Sequence, residues 1–320
     1  MFWTREEQPF RMFMAGAGLS WGFGHSHGAL KPWQLVFLVI GVFSCAAGII
    51  AFFILPSSQK DAIFLTEKER IVAVWRVSAN KWGIKNEKIL VYQIHEAFTD
   101  IKLYLVAVLA ISLGILNGSV SNFLSALLAG FGYNSLKVLL YQLPSGAFQF
   151  VATVTGGLAN TYFSGLLCFT MALACLPGLA GMIGIATISI QHQLALTACA
   201  WLPSIGGLAI ILSWTLVATN FAGHTKRTTA NGVLFVFYAA GNIIGPFLFF
   251  PDQKPRYLTA IKILATLYGV SALMAILLYI LMLLENRKRD GMPNIPEEVG
   301  LEEGFHDHTD KENLAFRYKL

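Results

Sequence analysis

Between Lys102 and Lys226 the chain carries one charged residue, Lys137. A soluble domain of that length needs a charged outer surface, so the stretch reads as several membrane spans in series. Composition agrees: 55% of residues are hydrophobic, 13% are charged and the mean hydropathy is +0.60. Soluble domains sit near about 45–50% and about 25%. A disordered chain, a coiled coil and a disulfide-stapled secreted module are excluded together. The four cysteines (Cys45, Cys168, Cys175, Cys199) lie in apolar runs without pairing or ligand spacing and read as small hydrophobes.

A span needs roughly 20 apolar residues, and turn signals divide the chain into candidates at 34–55, 103–128, 138–159, 163–187, 194–218, 230–250 and 260–283. Residues 12–30 form a shortened or failed eighth, because only Met12 to Phe23 is mostly apolar and glycines interrupt it. Met1 to Met12 lacks the pattern of a signal peptide. If the polar segment 56–102 faces the cytoplasm, most lysines and arginines fall inside, and only Lys31, Lys137, Lys254, Arg256 and Lys262 fall outside. The positive-inside rule favours this topology and explains the formal charge of +5 without any nucleic acid. The basic residues then read as topology anchors.

Two polar pieces remain. In 56–102, Thr66 to Glu69 reads as a capping box, with Ile71, Val74, Trp75 and Ser78 on one face of a short amphipathic helix. The tail from Glu285 has nine acidic and six basic residues and little apolar content, which predicts disorder. His306 and His308 within it read as solvated. No metal or cofactor is expected.

Inside the spans the informative residues are small, helix-breaking or polar. Gly114 with Gly118, and Gly241 with Gly245, have the spacing that lets helix backbones approach closely. Breaks are expected at Pro144-Ser145-Gly146, Pro177-Gly178, Pro203 to Gly207 and Gly245-Pro246, as in proteins that move or enclose a polar path, or as packing kinks. Asn117, Asn122, Gln149, Tyr238 and Asn242 are the substrate-cavity candidates, with interhelical hydrogen bonding as the alternative reading of each. No span carries a buried Asp, Glu or Arg. No Walker loop, HExxH or Gly-x-Ser-x-Gly elbow is present, so an enzyme reading has no support. Neither repeated filters nor rings of charge suggest a channel.

Several segments then resemble one family. FWTREEQPFRM (2–12), HGALKPWQLVF (27–37), FLTEKERIVAVWRV (64–77), GIKNEKILVYQIHEAFTD (83–100), YQLPSGAFQ (141–149), NFAGHTKRTTANG (220–232), GNIIGP (241–246) and HTDKENLAFRY (308–318) resemble the fungal allantoate permease-like carriers. These belong to the anion:cation symporter branch of the major facilitator superfamily. The resemblance implies an all-α plasma-membrane symporter of small organic anions such as ureide or vitamin-type carboxylates. It also implies coupling to protons and alternating access between two six-helix halves.

On that mapping, 1–33 is the remnant of the loop between helices four and five with a shortened helix five. Residues 34–55 are helix six, 56–102 the cytoplasmic central loop, 103–284 the C-terminal six-helix half and 285–320 a disordered cytoplasmic tail. The first four helices are absent, and the expectation is a carrier impaired by truncation. The alternative is a non-transporting membrane protein that pairs with a full-length carrier or forms a homo-oligomer. The loop at Gly156 to Asn160 lacks the acid and base that the superfamily often carries there.

Overall fold

The computed structural model describes residues 32–54, 66–67, 89–163, 165–254, 256–292 and 307–320. The expected shortened helix at 12–30, the capping-box helix beyond Glu67 and residues 293–306 of the tail lie outside them. The chain divides into two compact units, 1–82 and 83–320. Among the described residues every regular element is helical.

Unit 1 contributes α1 (Pro32–Ile54), where the span 34–55 was expected. Unit 2 opens with the short α2 (Val91–Phe98). Six long helical segments follow: α3 (Ile101–Gly130), α4 (Ser135–Tyr162), α5 (Leu167–Thr187), α6 (Gln193–Trp201) continued through a 3-10 turn (Leu202–Gly206) into α7 (Gly207–Asn220), α8 (His224–Ile244) and α9 (Leu258–Asp290). Helices are the natural solution, because a backbone in hydrocarbon must satisfy its own hydrogen bonds. Among the described residues five segments are long and apolar enough to cross a membrane: α3, α5, α6 with α7, α8 with the turn after it, and α9. The 28-residue α4 is long enough but less apolar, since it carries Gln142, Ser145, Gln149, Thr153, Thr155 and Asn160.

Helix starts and breaks have local causes. Asp100 caps α3 by accepting from the Lys102 backbone N–H at 3.1 Å, and Asn134 caps α4 through Lys137 N at 3.0 Å. Of the four expected breaks, two interrupt their helix. Pro203 lies in the 3-10 turn between α6 and α7, and α8 ends at Ile244 before Gly245 and Pro246. Pro144 and Pro177 stay inside α4 and α5. Near Pro144 the Tyr141 carbonyl gains a second donor, Trp201 Nε1 at 2.6 Å.

The two glycine pairs face one another across α3 and α8. A methyl on Gly118 would lie 2.6 Å from the Asn242 carbonyl oxygen, and one on Gly245 would lie 2.7 Å from the Ile115 carbonyl oxygen. Backbone meets backbone there, so no larger residue fits without moving a helix.

For residues 285–290 and 307–320 the disordered-tail expectation is corrected by the structure. Helix α9 continues through Asp290, and residues 307–320 fold back onto the bundle with Asp307, Thr309, Asp310, Asn313, Phe316 and Tyr318 buried. The segment buries aromatic surface and finds partners for its charges, which its overall polarity conceals.

Candidate functional site

Two polar features stand out in unit 2, one at mid-depth and one at the end that carries the tail. The first is a cavity of about 230 Å³ between α3, α4, the 202–206 turn and α7. Asn117, Ser121, Gln142, Ser145, Gln149 and Ser204 supply its polar lining. The turn builds one wall: Tyr268 of α9 is fully buried, donates its hydroxyl to the Pro203 carbonyl at 3.0 Å, and packs against Gly178 and Gly206, where a methyl would overlap its ring. Gly207 leaves room for Gln149: a methyl there would fall 2.5 Å from the Gln149 amide nitrogen, so the amide would have to swing aside.

The side chains of this cavity differ in how far they are committed. Gln142 donates to Ser125 Oγ at 2.7 Å, and Asn117 donates to Asn242 Oδ1 at 2.9 Å. Ser145 and Ser204 return their hydroxyls to backbone carbonyls three residues earlier. Among the described residues no hydrogen bond occupies the Gln149 amide, which leaves two donors and an acceptor available.

Of the five cavity candidates, Asn117 and Gln149 therefore line this space. Asn242 lies behind Asn117 as its acceptor and donates to the Tyr238 carbonyl at 2.9 Å, so this pair acts as an interhelical bond. Asn122 donates to the Gly118 carbonyl of its own helix at 2.7 Å. Tyr238 packs edge-on against Trp214, with centroids 6.1 Å apart.

The second feature was missed in the sequence, where Lys102, Lys226 and Arg289 read as topology anchors. Lys226 Nζ lies 2.6 Å from Asp310 Oδ1, 2.9 Å from Glu96 Oε1 and 3.2 Å from Asp100 Oδ2. The 2.6 Å approach is an ion pair by distance rather than a well-angled hydrogen bond. Lys102 Nζ lies 3.0 Å from Asp310 Oδ2 and 2.6 Å from the Tyr318 hydroxyl, which donates to Asp310 Oδ2 at 2.7 Å. Arg289 donates to the Phe316 and Asp310 carbonyls.

The tail also closes helix ends. His224 N donates to Asp307 Oδ1, while Thr225 N and Lys226 N donate to Gln93 Oε1, so α8 begins against an anion and an amide supplied from outside itself. Gly223 makes this entry possible with φ +85°. Asn220 and Asn286 each exchange two hydrogen bonds with the tail backbone, at Lys319 and Tyr318.

Burial alone would raise the Asp310 carboxyl, but the ammonium groups of Lys102 and Lys226 outweigh it and hold its pKa at about 2. The Tyr318 hydroxyl is pushed upward, first by burial and then by Asp310, so it stays a donor. Sequence spacing gave no signal for this cluster, because its members come from α2, α3, α8, α9 and the tail.

The comparisons with known proteins agree with the architecture. The sequence profile of the Major Facilitator Superfamily matches residues 5–246. An uncharacterized transporter of Schizosaccharomyces pombe is 31% identical over all of this chain and 63% of its own length. The allantoate permease of Saccharomyces cerevisiae is 34% identical over 91% of this chain and 55% of its own length. A thiamine pathway transporter of the same yeast is 28% identical over 99% of this chain and 62% of its own. The chain thus spans between about half and two thirds of the length of these relatives. No solved structure matches.

Proposed function

We propose a transport function for this chain, which belongs to the major facilitator superfamily. The six passes of unit 2 supply one side of a substrate site for a small organic anion of the ureide or vitamin-carboxylate type. Alternating access exposes that site to either face of the plasma membrane, with protons as the coupling ion. The tail end of the bundle faces the cytoplasm.

The observation that carries this reading is the uncommitted Gln149 amide in a cavity at mid-depth, beside Asn117 and the turn at Pro203. In hydrocarbon a polar side chain with no partner is unfavourable, and a polar solute is the natural partner for one that lines a cavity. The cavity lining contains no Lys, Arg or His among the described residues, so this wall offers neutral donors and acceptors. It suits an amide or ureido group, and the cation that neutralises a carboxylate stands outside this wall.

Uptake tests the reading. With residues 56–320 joined behind the first six helices of the allantoate permease that the chain resembles, cells lacking their own carriers should gain saturable, acid-stimulated allantoate uptake. Gln149→Leu should lower it at least tenfold in apparent affinity, the scale of one or two lost hydrogen bonds to a buried polar group. Uptake indifferent to Gln149 would contradict the assignment.

A further inference from the structure

At the end of unit 2 opposite the tail, the backbone of α9 is entered through Tyr257, a bulky residue at φ 49° and ψ 50°. Such a residue rarely adopts the left-handed conformation and keeps it only where its surroundings hold it. Here an aromatic cluster does so. The Phe123 and Phe249 rings stack at 3.9 Å, and the buried Tyr257 ring meets Phe249 edge-on at 5.4 Å and Phe123 at 6.4 Å. The position of the preceding residue, Arg256, is therefore fixed from one side.

Its guanidinium is half-committed to the protein interior. Nε and Nη2 are both shielded from solvent, and neither has a hydrogen-bond partner. Among the described residues no carboxylate lies within ion-pair distance of it, although Asp252 is close in sequence and exposed. Shielding donors on a permanent cation without an acceptor is unfavourable. These two nitrogens form the side-on edge of the guanidinium, the fork that matches two oxygens of a carboxylate or phosphate. Lys254 and Lys262 bring further positive charge to the same end.

We propose that Arg256 is an anion-binding residue at the end of unit 2 opposite the tail, taking two oxygens of a carboxylate or phosphate group on its Nε and Nη2 edge. It is an outer capture point, distinct from Gln149, and does not depend on transport by the cavity.

Arginine-specific modification by phenylglyoxal, read by mass spectrometry on the peptide containing Arg256, tests this on the whole chain in neutral detergent. Benzoate and inorganic phosphate serve as soluble probes, and phosphatidylglycerol micelles as the lipid probe. Protection of Arg256 by at least fivefold, saturating with probe and not shared by Arg317, is the expected result. Protection by the soluble anions identifies a solute site. Protection by phosphatidylglycerol alone identifies the anion as a lipid headgroup. As a second reading, benzoate or phosphatidylglycerol should raise the thermal transition of the wild type and not that of Arg256→Gln, with Arg256→Lys retaining part of the shift. No protection by any probe, or equal protection at Arg317, would overturn the proposal.

Discussion

Lys226 Nζ and Asp310 Oδ1 lie 2.6 Å apart with both side chains wholly buried, so the start of α8 is tied to the C-terminal segment. The contact makes the tail a structural member of the bundle. Removing one partner of such a pair leaves an uncompensated buried charge, which costs about 3–5 kcal/mol. Asp310→Asn should therefore destabilise strongly and speed proteolytic release of the C-terminal segment. Arg317→Gln, which breaks an exposed pair with Asp290, should shift stability by less than about 1 kcal/mol. Equal release rates for the two variants would refute the keystone role of Asp310.

The pH dependence of tail docking follows from the same carboxylate. Its folded pKa of about 2 lies below the ordinary value of 3.8, so the docked state binds this proton less readily than the free tail does. The stabilisation is complete above pH 4 and is lost as pH falls from about 4 toward 2, amounting to about 2–3 kcal/mol. Protease protection of residues 307–320 should stay flat from pH 7 to 4.5 and fall below pH 4. A loss centred near pH 6 would point to a histidine instead.

The glycine contacts between α3 and α8 predict a steric series. Gly241→Ala would place a methyl 2.7 Å from Ile115 N, whereas Gly232→Ala meets nothing within 4 Å. The first should lower stability in detergent by about 1–3 kcal/mol, and the second should be neutral or slightly stabilising in its helix. Thermal unfolding of the purified variants decides it, and similar midpoints would mean the helices separate more easily than the contacts imply.

What could be read in advance divides along physical lines. Five of the seven expected spans were legible because each is a local apolar run, and the Gly114/Gly118 and Gly241/Gly245 pairs because small residues four apart fall on one helix face. Gln149 and Asn117 stood out as amides in apolar surroundings, but only the structure distinguishes the free amide from the one bonded to Asn242. The tail was misread because Asp310 and Tyr318 are interpretable only beside Lys102, Lys226 and Arg289, which arrive from distant segments. Composition sums such charges as solvated, while the fold buries them as a neutralised group.

Orientation in the membrane is open to direct labelling. With Asp252 replaced by Cys in a background lacking Cys45, a membrane-impermeant maleimide should react in intact cells. A cysteine at the exposed Lys311 should react only after permeabilisation. The reverse pattern would turn the bundle over and place Arg256 in the cytoplasm.

The proposed solute site is the cavity beside Gln149. The most direct measurement is saturable uptake of a radiolabelled organic carboxylate by residues 56–320 joined to a six-helix N-terminal half, compared between the native sequence and Gln149→Leu at equal surface expression. Acid-stimulated uptake that Gln149→Leu reduces at least tenfold in apparent affinity is the expected result. Unchanged uptake in that variant, or no saturable uptake by the native joined chain, would contradict it.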